Sequence, residues 1–398
     1  MVQTLLDIHK HDGWLPDCHM SFCNGWTQSG SNADIVIVDA YHKNLSSSID
    51  WTYALKAVMT DAEDEPLEWS KHGRGGLHSW KKLDYIPYLD FDPFGFGTNS
   101  RSISRTLEYS YDDFCIATLA AGLGKHELET KYLKRSMNWL HLWKEDQTSS
   151  INGTDTGFKG FFQPKYQNGT WGYQDPIACS ALADFCSLTT NPSETFEASI
   201  WQYLFYTPHA FTTLIDLLGG DEAFVKRLDY FHTVGLCDIG NEPNFLTVYL
   251  YHYAGRPALS TDRIHTYVPK FFNGAAGGLP GNDDSGAMGS FLFFSMMGLF
   301  PVAGQNVYLI HSPFLQEVSI TNPVTGKKAT VKTVGFDASY KKRYIQSAKV
   351  NGKPWTKSWL THEFFTEGWT LELFIGDKES NWGTKVEDRP PSYAAAKA

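Results

Sequence analysis

Apolar and polar positions follow two different rhythms along this chain, and the change falls near Pro301. Before it, apolar residues recur at helical spacing between long polar, glycine-rich connections. Residues 33–60 predict two helices, with Asp50 placed to stack above or cap the second. Residues 103–124 predict a strong helix with Leu107, Tyr111, Phe114, Thr118 and Ala121 on one face and Gly122 and Gly124 to stop it. A second helix is expected over about 126–146, and 150–192 reads as irregular. Asn191-Pro192-Ser193-Glu194 is a start signal for a helix carrying Phe196, Glu197, Ile200, Trp201 and Tyr203. Further helices are expected up to Gly219-Gly220, over 221–230, from Pro243 to Gly255 and over 260–272. After Pro301 come short alternating runs separated by Asn, Gly, Pro and Lys, a β pattern from about 305 to 377. The fold class is therefore mainly α: an incomplete (α/α)6-toroid-like helical domain over 1–304, a small β-sandwich over 305–378 and a tail over 379–398.

The two regimes meet in GGLPGNDDSGAMGSFLFFSMMGLFPV, residues 277–302. A Gly/Pro turn presents Asn282, Asp283 and Asp284 just ahead of an apolar helix, with Ser285 as its expected N-cap. Carboxylates at the positive end of a helix are held ionised, which suits a general base or a cation contact. Capping alone is the plainer reading of such a pair.

Composition narrows the class. A formal net charge of −10 argues against nucleic acid and anionic membranes, and no apolar run is long enough to span a bilayer. Aromatics at 15% suit sugar stacking as well as a large core. Sequons at Asn44, Asn152 and Asn168 favour a secretory route. The six cysteines lack a zinc spacing; Cys115 reads as a core thiol, and Cys18/Cys23 and Cys179/Cys186 are candidate disulfides.

Several side chains carry candidate chemistry. Glu197 shares a predicted helix face with Ile200 and Trp201, and apolar neighbours raise a carboxyl pKa toward a general acid's. Glu242, in Gly240-Asn241-Glu242-Pro243, is expected at an N-cap, a position Glu rarely takes, so sugar hydroxyls or a cation compete with a plain turn as its reason. Two carboxyls whose environments push their pKa values apart form an acid/base pair of the kind glycoside hydrolysis needs. Glu197 and Asp284 qualify only if the fold joins residues 87 positions apart. Asp112 and Asp113 read as ion-pair partners of Arg105 or Lys134, Arg74 as a candidate pocket residue, and His209 and His252 as packing or rim residues.

Taken in order, SRTLEYSYDD, E-x-x-x-WQY at 197–203, LIDLLGG, GNEP with YLYHYAG, and GLPGNDDSG resemble the α-mannosidases of glycoside hydrolase family 92 over about 1–320. The resemblance implies an inverting, calcium-dependent exo-enzyme that removes terminal α-linked mannose, often 1,2-linked, from oligosaccharides or N-glycans. It implies Glu197 as general acid, Asp284 as base and Asp283 in support. It further implies sugar contacts from Trp201, Gln202, Asn241, Glu242 and Asn282, with calcium (Ca2+) near Asn241 and Glu242. Ala198, Ser199, Asn244-Phe245-Leu246 and Asn282 depart from the family pattern. The family's N-terminal β-sandwich and the start of its toroid have no counterpart before residue 1. Rival readings are a non-catalytic mannoside-binding protein and another inverting (α/α)6 glycosidase.

Overall fold

The computed structural model describes residues 1–16, 30–45, 48–90, 92–95, 100–183 and 194–394, and the backbone of two short strands at 19–20 and 23–24. In chain order the elements are α1 (Val2–Asp12), β1 (His19–Met20), β2 (Cys23–Asn24), α2 (Asn32–His42), α3 (Trp51–Glu63), α4 (Leu77–Leu83), α5 (Ser102–Gly122) and α6 (His126–Arg135). Next come β3 (Trp143–Ile151), β4 (Thr154–Phe162), α7 (Ile200–Tyr203), α8 (Phe211–Leu217), α9 (Asp221–Thr233), α10 (Pro257–Phe271) and α11 (Ala287–Met297). The C-terminal part holds β5 (Leu299–Pro301), β6 (Tyr308–Ile310), β7 (Glu317–Thr321), β8 (Lys328–Val334), β9 (Tyr344–Val350), β10 (Lys353–Trp355), β11 (Trp359–Leu360), α12 (Glu363–Thr366) and β12 (Thr370–Gly376).

Helix α5 is the spine. Apolar residues on its first half, Ile103 and Leu107, join a core built from Trp139, Phe161, Phe162, Trp201 and helices α8 to α11. Its second half, Tyr111 to Ala120, packs with α1, α2, α3 and Tyr132 of α6 in another core. α3 begins as its sequence predicts, with the Asp50 carboxylate accepting from Tyr53 N at 3.0 Å.

Buried charges tie α5 to its neighbours. Arg74 is fully buried and ion-paired to Asp34 at 2.7 Å and to Asp113 at 2.8 Å, with Asp112 at 3.9 Å. Arg135 completes the set, meeting Asp113 at 2.7 Å and Glu63 at 2.6 Å. Asp112 and Asp113 are thus held by Arg74 and Arg135, not by Arg105 or Lys134. Arg74 is a structural counter-ion rather than a pocket residue. Burial pushes the Asp34 carboxyl up to about 6, against the pull of Arg74.

The second helix predicted over 126–146 stops at Arg135; a 3-10 turn at Asn138–Leu142 leads into the antiparallel hairpin β3–β4. The alternation that forms this hairpin begins inside the stretch read as helix and continues through the one read as irregular. The start signal at Asn191-Pro192-Ser193 lies outside the described residues.

Beyond α11 the described residues form two sheets, with the short helix α12 between β11 and β12. A five-stranded sheet runs β10-β9-β12-β8-β7, antiparallel except for β12 beside β8, and a three-stranded sheet runs β11-β6-β5. Val331, Ile345, Leu371 and Leu373 from one sheet and Leu299, Tyr308 and Ile310 from the other share one core. β5 at Leu299–Pro301 already belongs to this sheet system, a few residues before the alternating pattern becomes legible.

His209 and His252 are packing residues. His209 meets Ser136 O at 2.8 Å and His252 meets Ile310 O at 2.8 Å, and burial depresses both to about 4. Cys115 is a buried free thiol and Cys179 is disulfide-bonded. The side chains of Cys18, Cys23 and Cys186 lie outside the described residues.

Candidate active site

Three connections meet at the candidate site: residues 194–199 before α7, the 238–242 turn, and the 278–286 turn before α11. Two of them touch backbone to backbone. A Cβ on Gly281 would lie 2.0 Å from Gly240 O, and one on Gly240 would lie 2.7 Å from Pro280 O. Only glycine permits that approach. It brings Glu242 beside Asp284.

Glu197 is not on a helix. Residues 194–198 are an irregular bend, and α7 begins only at Ile200, capped by Ser199, whose hydroxyl accepts from Gln202 N at 3.2 Å. Glu197 itself takes a left-handed conformation, φ 43°, at a cost of about 1–2 kcal/mol for a non-glycine residue. The expected sharing of a helix face with Ile200 and Trp201 therefore does not occur. The proposed consequence survives for a different reason. Burial pushes the Glu197 carboxyl up to about 7, the charges of Glu242 and Asp284 push the same way, and Arg101 opposes them.

The bend is held from α5. The Glu194 carboxylate accepts from Ser102 N at 2.7 Å and from Ser100 Oγ at 2.6 Å. Glu194 O accepts from Ile103 N and Ser104 N, and Arg101 Nη1 donates to Thr195 O at 2.7 Å. Asn241 Nδ2 reaches Glu197 O at 3.4 Å. Sequence reasoning singled out neither Glu194 nor Arg101 for this task. The hydrogen-bonding run Ser100-Arg101-Ser102 at the mouth of α5 was the available signal.

Asp284 and Ser285 also have positive φ, 43° and 62°, followed by Gly286 at 100°. This left-handed run turns the chain into α11, whose N-cap is Gly286 rather than Ser285. Asp283 does the capping: its carbonyl accepts from Gly286, Ala287 and Met288, and Oδ1 from Gly289 N at 3.3 Å. Asn241, not Glu242, is the N-cap of the Glu242–Asn244 turn. Glu242 Oε1 is buried without a hydrogen-bond partner. Its pKa is raised, first by burial and then by Asp284 and Asp283, against the pull of its own backbone N–H.

The other expected site residues divide. Gln202 is buried with Nε2 unpartnered. Asn282, Asp283 and Asp284 are exposed. Trp201 is fully buried; its Nε1 donates to Ser149 Oγ at 2.9 Å and its ring packs on Phe158 and Phe161. It is a core residue beneath the bend, so the expectation of a sugar contact from it is corrected. Among the described residues no group of three or more His, Cys, Asp or Glu side chains is arranged to hold a metal. The orphaned Glu242 oxygen is one hard ligand and the Asn241 side-chain carbonyl offers a second, so these two residues alone fall short of the oxygen set a calcium ion takes.

A carboxyl raised to about 7 stands beside the carboxyls of Glu242 and Asp284, the kind of grouping that glycoside hydrolysis draws on. The sequence model described as the glycosyl hydrolase family 92 catalytic domain matches residues 1–377, and the chain belongs to that family. An uncharacterized secreted glycosidase of Arthroderma benhamiae is 61% identical over 392 residues, covering 98% of this chain and 50% of its own length. Among solved structures, a family GH92 inverting mannosidase from Bacteroides thetaiotaomicron superposes with TM-score 0.81 at 26% identity, over 98% of this chain and 52% of that one. A family GH92 α-mannosidase of the same organism, in complex with mannoimidazole, matches with TM-score 0.78 at 26% identity, over 98% of this chain and 50% of that one. The chain thus spans about half the length of the curated relative it matches.

Proposed function

We propose that this chain carries the catalytic carboxyls of an inverting exo-α-mannosidase acting on terminal α-linked mannose, 1,2-linked in the first instance, of oligosaccharides or N-glycans. The observation that carries the reading is the raised pKa of Glu197, about 7, beside Glu242 and Asp284. Glu197 protonates the leaving glycosidic oxygen. Asp284 takes a proton from the attacking water on the opposite face, and Asp283 fixes the turn that presents it. Glu242 keeps Glu197 protonated by its charge and offers its unpartnered oxygen to a sugar hydroxyl. Gln202, Asn241 and Asn282 supply further polar groups for the sugar.

The reading includes an (α/α)6-toroid-like helical domain over 1–304, a β-sandwich over 305–378 and a tail over 379–398. It also includes calcium dependence and secretion as a glycoprotein, in keeping with the family and with a relative described as secreted. No step is routed through calcium. The deciding experiment is mannose release from an α-1,2-mannobiose by the purified chain, with calcium and with EDTA, beside Glu197→Gln. Release that Glu197→Gln abolishes supports the reading. Heat of mannoside binding without release from a folded sample favours a non-catalytic binding protein, and release of glucose or galactose from their nitrophenyl glycosides favours a different inverting glycosidase.

A further inference from the structure

The three sequons meet different surroundings. Asn44 follows α2, and its hydroxyl partner Ser46 lies outside the described residues. The other two, Asn152-Gly153-Thr154 and Asn168-Gly169-Thr170, close hairpins. Asn152 (φ 51°) and Gly153 (φ 77°) form the two-residue turn between paired Ile151 and Thr154. Around Asn168, Lys165 bridges to Trp171, Tyr166 N donates to Thr170 O at 2.9 Å, and Gly169 N donates to Tyr166 O at 2.9 Å. Both asparagines and both threonines are exposed. A Cβ built on Gly153 or Gly169 meets no atom within 4 Å, so each tip opens onto free space.

The Asn168 tip has two further features. Asn168 Oδ1 accepts from Thr170 N at 3.0 Å and from Thr170 Oγ1 at 2.7 Å, so the pairing of amide and hydroxyl that the sequon supplies is already formed. The Asn168 Nδ2 takes no part in those bonds. Two residues earlier, Tyr166 is 38% exposed, its ring 5.0 Å from that of Tyr88. Tyr166 and Asn168 belong to the same five-residue turn, Tyr166–Thr170, closed by its backbone hydrogen bonds. An exposed aromatic ring is a surface on which the apolar C–H face of a sugar stacks.

We propose that Asn152 and Asn168 carry N-linked glycans, and that the first sugar on Asn168 rests on the exposed ring of Tyr166. The donor is a lipid-pyrophosphate-linked oligosaccharide. The bond from sugar C1 to the phosphate oxygen breaks, C1 bonds to Asn Nδ2, one amide proton is lost, and the lipid pyrophosphate leaves. Both parts rest on the secretory route included in the proposed function, and not on what the carboxyl site catalyses.

The test is to route the full chain through the secretory pathway of a eukaryotic host and map its peptides by mass spectrometry. Peptides containing Asn152 and Asn168 carry glycans that peptide N-glycosidase removes, leaving Asp, and Asn152→Gln or Asn168→Gln each removes one of them. An unmodified Asn152 or Asn168 in the secreted chain overturns the assignment of that site. For the stacking, Asn152→Gln leaves one glycan of interest, and its enzymatic removal lowers the melting temperature. Adding Tyr166→Ser cancels that drop while the glycan remains attached. An equal drop with and without Tyr166 overturns the stacking.

Discussion

Glu197 concentrates the chemistry of this chain into one side chain. Its carboxyl is half-buried, next to negative neighbours, and raised to about 7. A general acid works while protonated, so kcat/KM for mannoside hydrolysis is expected to fall as pH rises through about 7; a rate unchanged between pH 6 and pH 8.5 would count against the role. The stability effect has the same sign. The folded state holds a proton that the unfolded chain releases near 4.5. The stabilisation this group gives is complete below the unfolded value and is lost as pH rises through about 7. Glu197→Gln removes a charge the fold disfavours, so at pH 8 the variant should melt above the parent while losing activity, and at pH 4 the two should converge. Glu242→Gln removes the larger of the two charges that push Glu197 up. Carbon-13 NMR titration of the Glu197 carboxyl should then give a lower midpoint than in the parent; an unmoved midpoint would rule out the coupling.

At the scale of elements, the site is made by turns. The 238–242 and 278–286 turns touch through Gly240 and Gly281, with no room for a Cβ. Gly281→Ala is expected to push them apart and separate Glu242 from Asp284. Activity should fall at least tenfold while the melting temperature drops far less than for a core substitution; a fully active Gly281→Ala would mean that this contact does not set the site. These elements also mark where sequence reading succeeds. Asp50 was legible as a cap because a cap needs only its own carboxylate and the next three residues. The strand β3 was not, because Trp143 to Ile151 follows helix α6 with no Gly or Pro to mark the change. The bend at Glu197 was hidden for a similar reason. FEASIWQY has acceptable helix propensity, but Glu194 and Arg101 hold its backbone through bonds to α5 almost a hundred residues away in sequence.

For the whole molecule, the buried set around Arg74 joins α2, α5 and the loop before α4. Its guanidinium meets Asp34, Asp112 and Asp113, all fully buried. Arg74→Ala would leave those carboxyls without their central cation, at a cost of about 3–5 kcal/mol. Urea unfolding should register this as a lower midpoint, and a loss under about 1 kcal/mol would mean the carboxyls simply take up protons. By itself the sequence determined the change from helical to β rhythm, the helix starts that depend on local caps, and the carboxyls worth suspecting, because each of these is written in residues near one another. Only the tertiary structure decided that Glu197 sits on a strained bend, that Trp201 is core, that Arg74 neutralises Asp113, and that Glu197, Glu242 and Asp284 share one electrostatic environment. Those outcomes depend on burial and on contacts between distant segments, and neither is encoded in local spacing.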